Sequence, residues 1–198
     1  MSLVTKKYYD KNAVRWSDSK TNSFYHEKQF KFFNSLLKSG QSVLDIGCAN
    51  AVHVPLFLGI GRKLKYTGID ISNKMLEISK RRYPQLTFMA GDALKFKSAK
   101  KFDGFWSAAT LMHIPRESWP ALLTNIEKNM NSGAIGYLTL PTARPNPASK
   151  TDQRHFEFFR KGNFEKIAHG RKWKILKKGE MEASTPNATW YWYIIKLP

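Results

Sequence analysis

A chain of 198 residues, 42% hydrophobic and 24% charged, has the balance of one soluble globular domain and is long enough to bury a sizeable core. No apolar run approaches the roughly 18 residues of a membrane span, the opening Met-Ser-Leu-Val-Thr-Lys-Lys has no apolar signal core, and a lone cysteine excludes an internal disulfide, so a reducing cytoplasm and no membrane partner are expected. The abnormal number is the net charge of +18, which would attract nucleic acid, anionic lipid or acidic small molecules, although cations scattered from Lys6 through Arg82 to Lys178 equally fit charge spread without purpose.

The first forty residues read as helix, with Phe24, Phe30, Phe33, Leu36 and Leu37 three to four apart and Gly40 as the stop. Residues 41–46 form a short apolar strand ending in a glycine turn. A helix over 52–60 must hold Pro55 in its first turn. A second strand, 64–70, ends in an acid, and Ser72 can N-cap a helix carrying Met75, Leu76 and Ile78 that Pro84 closes. Residues 86–89 are a strand running into Gly91-Asp92, and 102–108 another. Trp119, Leu122, Leu123, Ile126 and Met130 line one helical face before a turn at Asn131-Ser132-Gly133, and 134–140 is a fifth strand. Strands alternating with helices require parallel pairing and right-handed crossovers. After a loop to Ser149 and a short helix over 164–169, strands 173–178 and 190–196 are separated by too short a link for anything but antiparallel pairing. The sequon Asn187-Ala188-Thr189 carries little meaning in a chain that is not secreted. The expected fold is a doubly wound, Rossmann-like three-layer sandwich whose seven-stranded, mostly parallel sheet ends in an antiparallel last strand. Residues 1–40 are expected to be a helical opening segment and 41–198 the core.

Ligands of such sheets bind at the carboxyl ends of the strands. Three of those ends carry an acid. Val43-Leu44-Asp45-Ile46-Gly47-Cys48-Ala49-Asn50-Ala51 is a strand running into a tight turn, where Gly47 permits a positive φ and the next helix offers free N–H groups. Asp70 follows about 25 residues later, near the spacing at which an acid grips a ribose diol. Asp92, in Gly91-Asp92-Ala93, can accept from an exocyclic amine. An acid closing each of three successive strands is a stronger signal than any one of them, although each could also serve only as a cap.

On these motifs the chain resembles the class I S-adenosylmethionine-dependent methyltransferases of small, single-domain type. Residues 43–48 match the family's first motif, Val-Leu-Asp-Ile-Gly-Cys-Gly-x-Gly, without change. The resemblance implies S-adenosylmethionine as cofactor. Asp45, Gly47, Cys48 and Ala49 would face its methionine part, Asp70 and Ile71 the ribose, and Asp92 and Ala93 the adenine. Ser107 and Ala108 would close the fourth strand beside it, with Trp16 covering it. The chain departs from the motif at Ala49 and Ala51, where glycines are usual, and a positive φ costs alanine roughly 1 kcal/mol.

Each residue also has a plainer reading. Cys48 fits a small packed side chain, and Trp16, Tyr8 and Tyr9 fit either a lid or a helix–sheet contact. His113, in the loop after the fourth strand, is the candidate catalytic base; it could equally bond to a neighbouring loop and never titrate. No metal-ligand cluster stands out. The expected activity is transfer of the sulfonium methyl to an O or N atom of a small-molecule acceptor. Two alternatives stand beside it. One is an RNA acceptor, favoured by the charge and by a tail, Arg154-His155-Phe156 to Phe159-Arg160-Lys161-Gly162, loosely similar to wobble-uridine tRNA methyltransferases. The other is a non-catalytic binding module. The sequence leaves oligomeric state open.

Overall fold

A computed structural model describes residues 3–18, 23–143, 152–182 and 189–198. The sheet has seven strands in the order β3-β2-β1-β4-β5-β7-β6. They are β1 (Ser42–Ile46), β2 (Lys65–Asp70), β3 (Thr87–Ala90), β4 (Phe102–Ser107), β5 (Met130–Pro141), β6 (Lys174–Glu182) and β7 (Thr189–Lys196). β3, β2, β1, β4 and β5 pair in parallel. β7, made last, lies antiparallel between β5 and β6, as the sequence indicates.

Side chains alternate across the sheet, so neighbouring residues serve opposite cores. Val43, Tyr66, Trp106, Tyr137 and Ile194 pack beneath Phe30 and Phe33 of α3 (Glu27–Ser35) and Leu56 and Phe57 of α4 (Val54–Gly59). Leu44, Ile69, Phe105, Leu138 and Ile195 meet Leu122, Leu123 and Ile126 of α6 (Trp119–Lys128) and Phe164 and Ala168 of α7 (Asn163–Gly170). The result is three layers. Pro55 sits in the first turn of α4, where its missing N–H costs nothing. Ser72 caps α5 (Asn73–Arg82), its hydroxyl accepting from the Met75 amide at 3.2 Å.

Two expectations need correction. The opening segment is not one helix but α1 (Leu3–Lys11), α2 (Ala13–Asp18), a 3-10 turn over Ser23–His26, and α3. The Asn12 amide donates its side-chain hydrogen to the Tyr8 carbonyl at 2.8 Å and competes with the helix ladder, which marks the α1–α2 break. The turn at Asn131-Ser132-Gly133 is instead a bulge inside β5. The register jumps from Phe102↔Met130 to Gly104↔Ile135, and Gly133 supplies the φ of 74° it needs. Met130 therefore belongs to the strand. The side chain of Phe24, residues 187 and 188 of the sequon, and the loop stretch 144–149 lie outside the described residues.

Gly136 on β5 shows how tightly the sheet is filled. A Cβ there would stand 2.3 Å from the ring of Phe105, which is fully buried, and 3.0 Å from Ile195. Gly136→Ala should therefore destabilise the fold by about 1–3 kcal/mol, measured as a lower urea midpoint at unchanged slope.

Candidate functional site

The carboxyl ends of β1, β2 and β4 converge on the segment 47–51. Gly47 has φ 78°, and its amide and that of Cys48 donate to the Ile69 carbonyl at 2.8 and 3.0 Å, pinning the turn to β2. A side chain at Gly47 would strike the Thr110 hydroxyl at 2.1 Å. Ala49 and Ala51 both take positive φ, 47° and 62°, the conformation for which glycine is usual. Their strain is met by neighbouring bonds. The Ala49 amide donates to Asp70 Oδ2 at 3.0 Å, its carbonyl accepts from Ser79 Oγ at 2.6 Å, and the Ala51 amide reaches the Cys48 carbonyl at 2.9 Å.

The three acids differ in setting. Asp45 is 1% exposed, and the Tyr66 hydroxyl donates to its Oδ2 at 2.8 Å. Burial pushes its pKa up to about 7, against the Tyr66 bond. Asp70 is half-buried and accepts from the Ser72 amide at 2.8 Å as well as from Ala49. Burial raises its pKa to about 6, although backbone donors pull the other way. A carboxylate has about four lone-pair directions, and the backbone donors Ser72, Ala49 and Ile71 leave Asp70 room for a further partner. Asp92 is half-buried and takes the Leu94 amide on Oδ1 at 3.0 Å, a local turn cap. Ala93 beside it is buried, its carbonyl bonded to Asn125 Nδ2 at 2.9 Å.

The remaining site residues gather at the same edge. Ile71 is half-buried after Asp70. Cys48 is 1% exposed with Sγ against β2, where a Cβ at Gly68 would meet it at 2.8 Å, and burial raises its thiol pKa well above normal. It is packed as a small hydrophobe. Ser107 is buried and donates to the Ile46 carbonyl at 3.2 Å, next to buried Ala108. Trp16 shares a small cluster with Ala13, Met75, Ile78 and Ala49, and its carbonyl accepts from Asn50 Nδ2 at 3.2 Å, so α2 touches the loop.

His113 is 2% exposed and uses both ring nitrogens. Nδ1 lies 2.8 Å from the His155 carbonyl, which can only accept, so Nδ1 carries the hydrogen. Nε2 then accepts from the Tyr9 hydroxyl at 2.9 Å, and Arg154 Nη1 donates to that same hydroxyl oxygen at 2.9 Å. Every hydrogen in this chain has one direction. Burial lowers His113 to about 4 and raises Tyr9 to about 12, the nearby Arg154 partly offsetting the latter. Arg154 is gripped by Asp152 at 3.0 and 2.7 Å and stands 4.1 Å over the Tyr8 ring and 5.0 Å from that of Phe156.

Sequence reading weighed Tyr9, His113 and Arg154 separately. Their union spans 145 residues and leaves no local signal, and Thr110 and Asp152 were missed for the same reason. The basic tail does not gather at one mouth. Arg154 is 7% exposed, whereas Arg171 bonds Glu127 at 2.8 Å and lines, with Lys101 and Lys172, a groove of about 660 Å³ beside Met130 and Pro198, at the opposite end of the strands.

Two outcomes follow from this geometry. A carboxyl whose folded pKa is raised holds its proton more tightly folded than unfolded, so stability falls as pH rises toward about 7. Asp45→Asn, which keeps an acceptor for Tyr66, should therefore cost less stability at pH 8 than at pH 5, measured by urea unfolding at both. In addition, Ala49→Gly with Ala51→Gly should relieve up to roughly 1 kcal/mol of strain at each position, leaving affinity for S-adenosylhomocysteine equal or higher by calorimetry. A clear loss of affinity in the still-folded double variant would show the alanines to be fitted to the ligand.

No curated protein matches the chain by sequence. Among solved structures it is similar to magnesium protoporphyrin IX methyltransferase from Synechocystis PCC 6803 with bound S-adenosylhomocysteine. The identity is 18% over 98% of this chain and 99% of that one, with a TM-score of 0.73. It is also similar to Burkholderia thailandensis 1,6-didemethyltoxoflavin-N1-methyltransferase, at 13% identity over 98% and 87% of the two chains and a TM-score of 0.78. A third is the N-methyltransferase NodS from Bradyrhizobium japonicum WM9, at 16% identity, 91% and 99% coverage and a TM-score of 0.69. These likenesses establish the fold. Residues 43–133, which hold the pinned turn, all three acids and His113, match the family described as a methyltransferase domain.

Proposed function

We propose that the enzyme transfers the cofactor methyl to an oxygen or nitrogen of a small acceptor that has a proton to lose. The observation behind this reading is the one-way hydrogen-bond chain from Arg154 through Tyr9 to His113 Nε2, at 2.9 Å for each link. S-adenosylmethionine supplies a methyl already made electrophilic by the sulfonium. The residues would hold it through the 47–51 loop, Asp70 on the ribose and Asp92 with Ala93 beside the adenine, with Trp16 as part of the lid.

The chain's own groups then manage the proton. An O or N nucleophile gains positive charge as it attacks, so its hydrogen becomes more acidic than in the free acceptor. Tyr9 can accept that hydrogen on its oxygen while passing its own to His113 Nε2, and the imidazolium formed keeps its Nδ1–H on the His155 carbonyl. Burial holds His113 near 4, so it is unprotonated throughout the neutral range and takes a proton only from a strongly acidic donor, such as a hydroxyl on which a methyl bond is forming. Positioning under a closed lid contributes the remainder.

A small acceptor is favoured over RNA because Tyr9, Arg154 and Phe156 crowd the His113 edge, and the tail's cations do not line an open path to it. Labelled cofactor incubated with a fractionated extract should put label into the small-molecule fraction, and Tyr9→Phe should lower that transfer by about 100-fold. Label entering bulk RNA instead would overturn the choice of acceptor.

The cofactor contact has its own test. Asp70→Ala should weaken S-adenosylhomocysteine binding by roughly 1.5–3 kcal/mol, as for hydrogen bonds to a charged group. Only the ionised carboxylate accepts from both ribose hydroxyls, so wild-type affinity should fall as pH drops through about 6, and Asp70→Asn should flatten that step in calorimetry.

A further inference from the structure

The lid helix has a second face. Backbone bonds from Asn12 to Tyr8 and from Trp16 to Asn12, each 3.0 Å, carry the helical path from α1 into α2 despite the break. At about 100° per residue, Thr5, Tyr9, Ala13 and Trp16 point inward, which is where the buried Thr5 and Ala13 and the Tyr9 bonds lie. The opposite stripe, about 120° wide, holds Leu3, Lys7, Val14, Lys11, Val4 and Arg15. Leu3 is 73% exposed, Val14 70% and Val4 44%, and the three cations are exposed as well. No described acid pairs with any of those cations. Asp10, the acid of α1, is turned away to Ser72, the Lys74 amide and Lys6. Beside α2, α5 adds exposed Lys74, Lys80 and Arg81, with Glu77 tied to Lys74 at 3.1 Å.

We propose that this outer stripe docks the enzyme on the surface of an anionic lipid bilayer. The stripe offers cations at four-residue intervals together with bare aliphatic tips. Phosphodiester headgroups take the former and the acyl boundary takes the latter, as for helices lying in a membrane interface. A nucleic-acid strand would satisfy Lys7, Lys11 and Arg15 but gives Leu3 and Val14 no apolar partner. The contact is peripheral, since no helix among the described residues is long and apolar enough to cross a membrane. It departs from the expectation, drawn from the lack of an apolar run, that no membrane is involved. It would bring the lid, and with it the acceptor side of the site, to the lipid surface.

The test is flotation with vesicles of phosphatidylcholine alone or with about one third phosphatidylglycerol. The full chain should float with the anionic vesicles only, and less at 0.5 M salt on the order of the Debye screening expected. Lys7→Glu with Lys11→Glu and Arg15→Glu should lower the partition coefficient at least about tenfold. Leu3→Ser with Val14→Ser should lower it several-fold. Both variants should keep wild-type S-adenosylhomocysteine affinity, which certifies their fold independently of any acceptor. Failure of the folded wild type to float at low salt would overturn the proposal. So would unchanged flotation of the triple variant, or a preference for bulk tRNA that strips the protein from the vesicles.

Discussion

Asp70 ends β2 with a backbone amide on each carboxylate oxygen, Ala49 on one and Ser72 on the other. The left-handed loop after β1 and the first turn of α5 are thereby set against the same side chain. Ser72 extends the arrangement: its hydroxyl caps α5 and donates to Asp10 at 2.7 Å, which brings α1 into place. The loop, α5 and α1 therefore share one fixed point. That point carries a charge held at the edge of a low-dielectric interior. The amides that keep the carboxylate from rising further than about 6 are the same ones that shape the site.

The distribution of charge divides inside from outside. The whole chain bears +18, yet three of its fifteen acids, Asp45, Asp70 and Asp92, close three neighbouring strands of the sheet. A cationic sulfonium entering that edge leaves a repulsive exterior for a locally negative mouth. Deeper in, burial drives the protonatable groups to neutrality: His113 and His26 fall to about 4, while Tyr9 rises to about 12. The neutral pair Tyr9 and His113 lies beside the buried ion pair of Arg154 with Asp152.

Much of this was legible because it is local. The Gly47 turn, the Ser72 cap, Pro55 in the first turn of α4 and the alternation of strand with helix are decided by residues two to four apart. The positive φ at Ala49 and Ala51 follows from their place in the motif. Partners set by sheet register were not legible. Asp45 meets Tyr66, 21 residues on, because β1 and β2 lie side by side, and Gly47 must stay bare because Thr110 descends from β4. The opening segment misled because the apolar spacing from Phe24 to Leu37 says nothing of the residues before it, where α1 and α2 are separate helices. At residues 131–133, turn-forming residues were absorbed by a bulge whose polar groups find Asp103 and Pro198.

The position of β7 has a bearing on how the molecule comes into being. Of the seven strands it leaves the ribosome last, yet it sits in the interior of the sheet with β5 on one flank and β6 on the other. Until it is threaded in, β5 is an unpaired apolar edge and β6 has nowhere to lie, although α7 and half of one core are already made. Until β7 has emerged, a nascent chain therefore carries an open seam, the kind of edge that invites pairing with a stranger. Lysines at 174, 177 and 178 of β6 make such pairing between copies electrostatically costly during that interval.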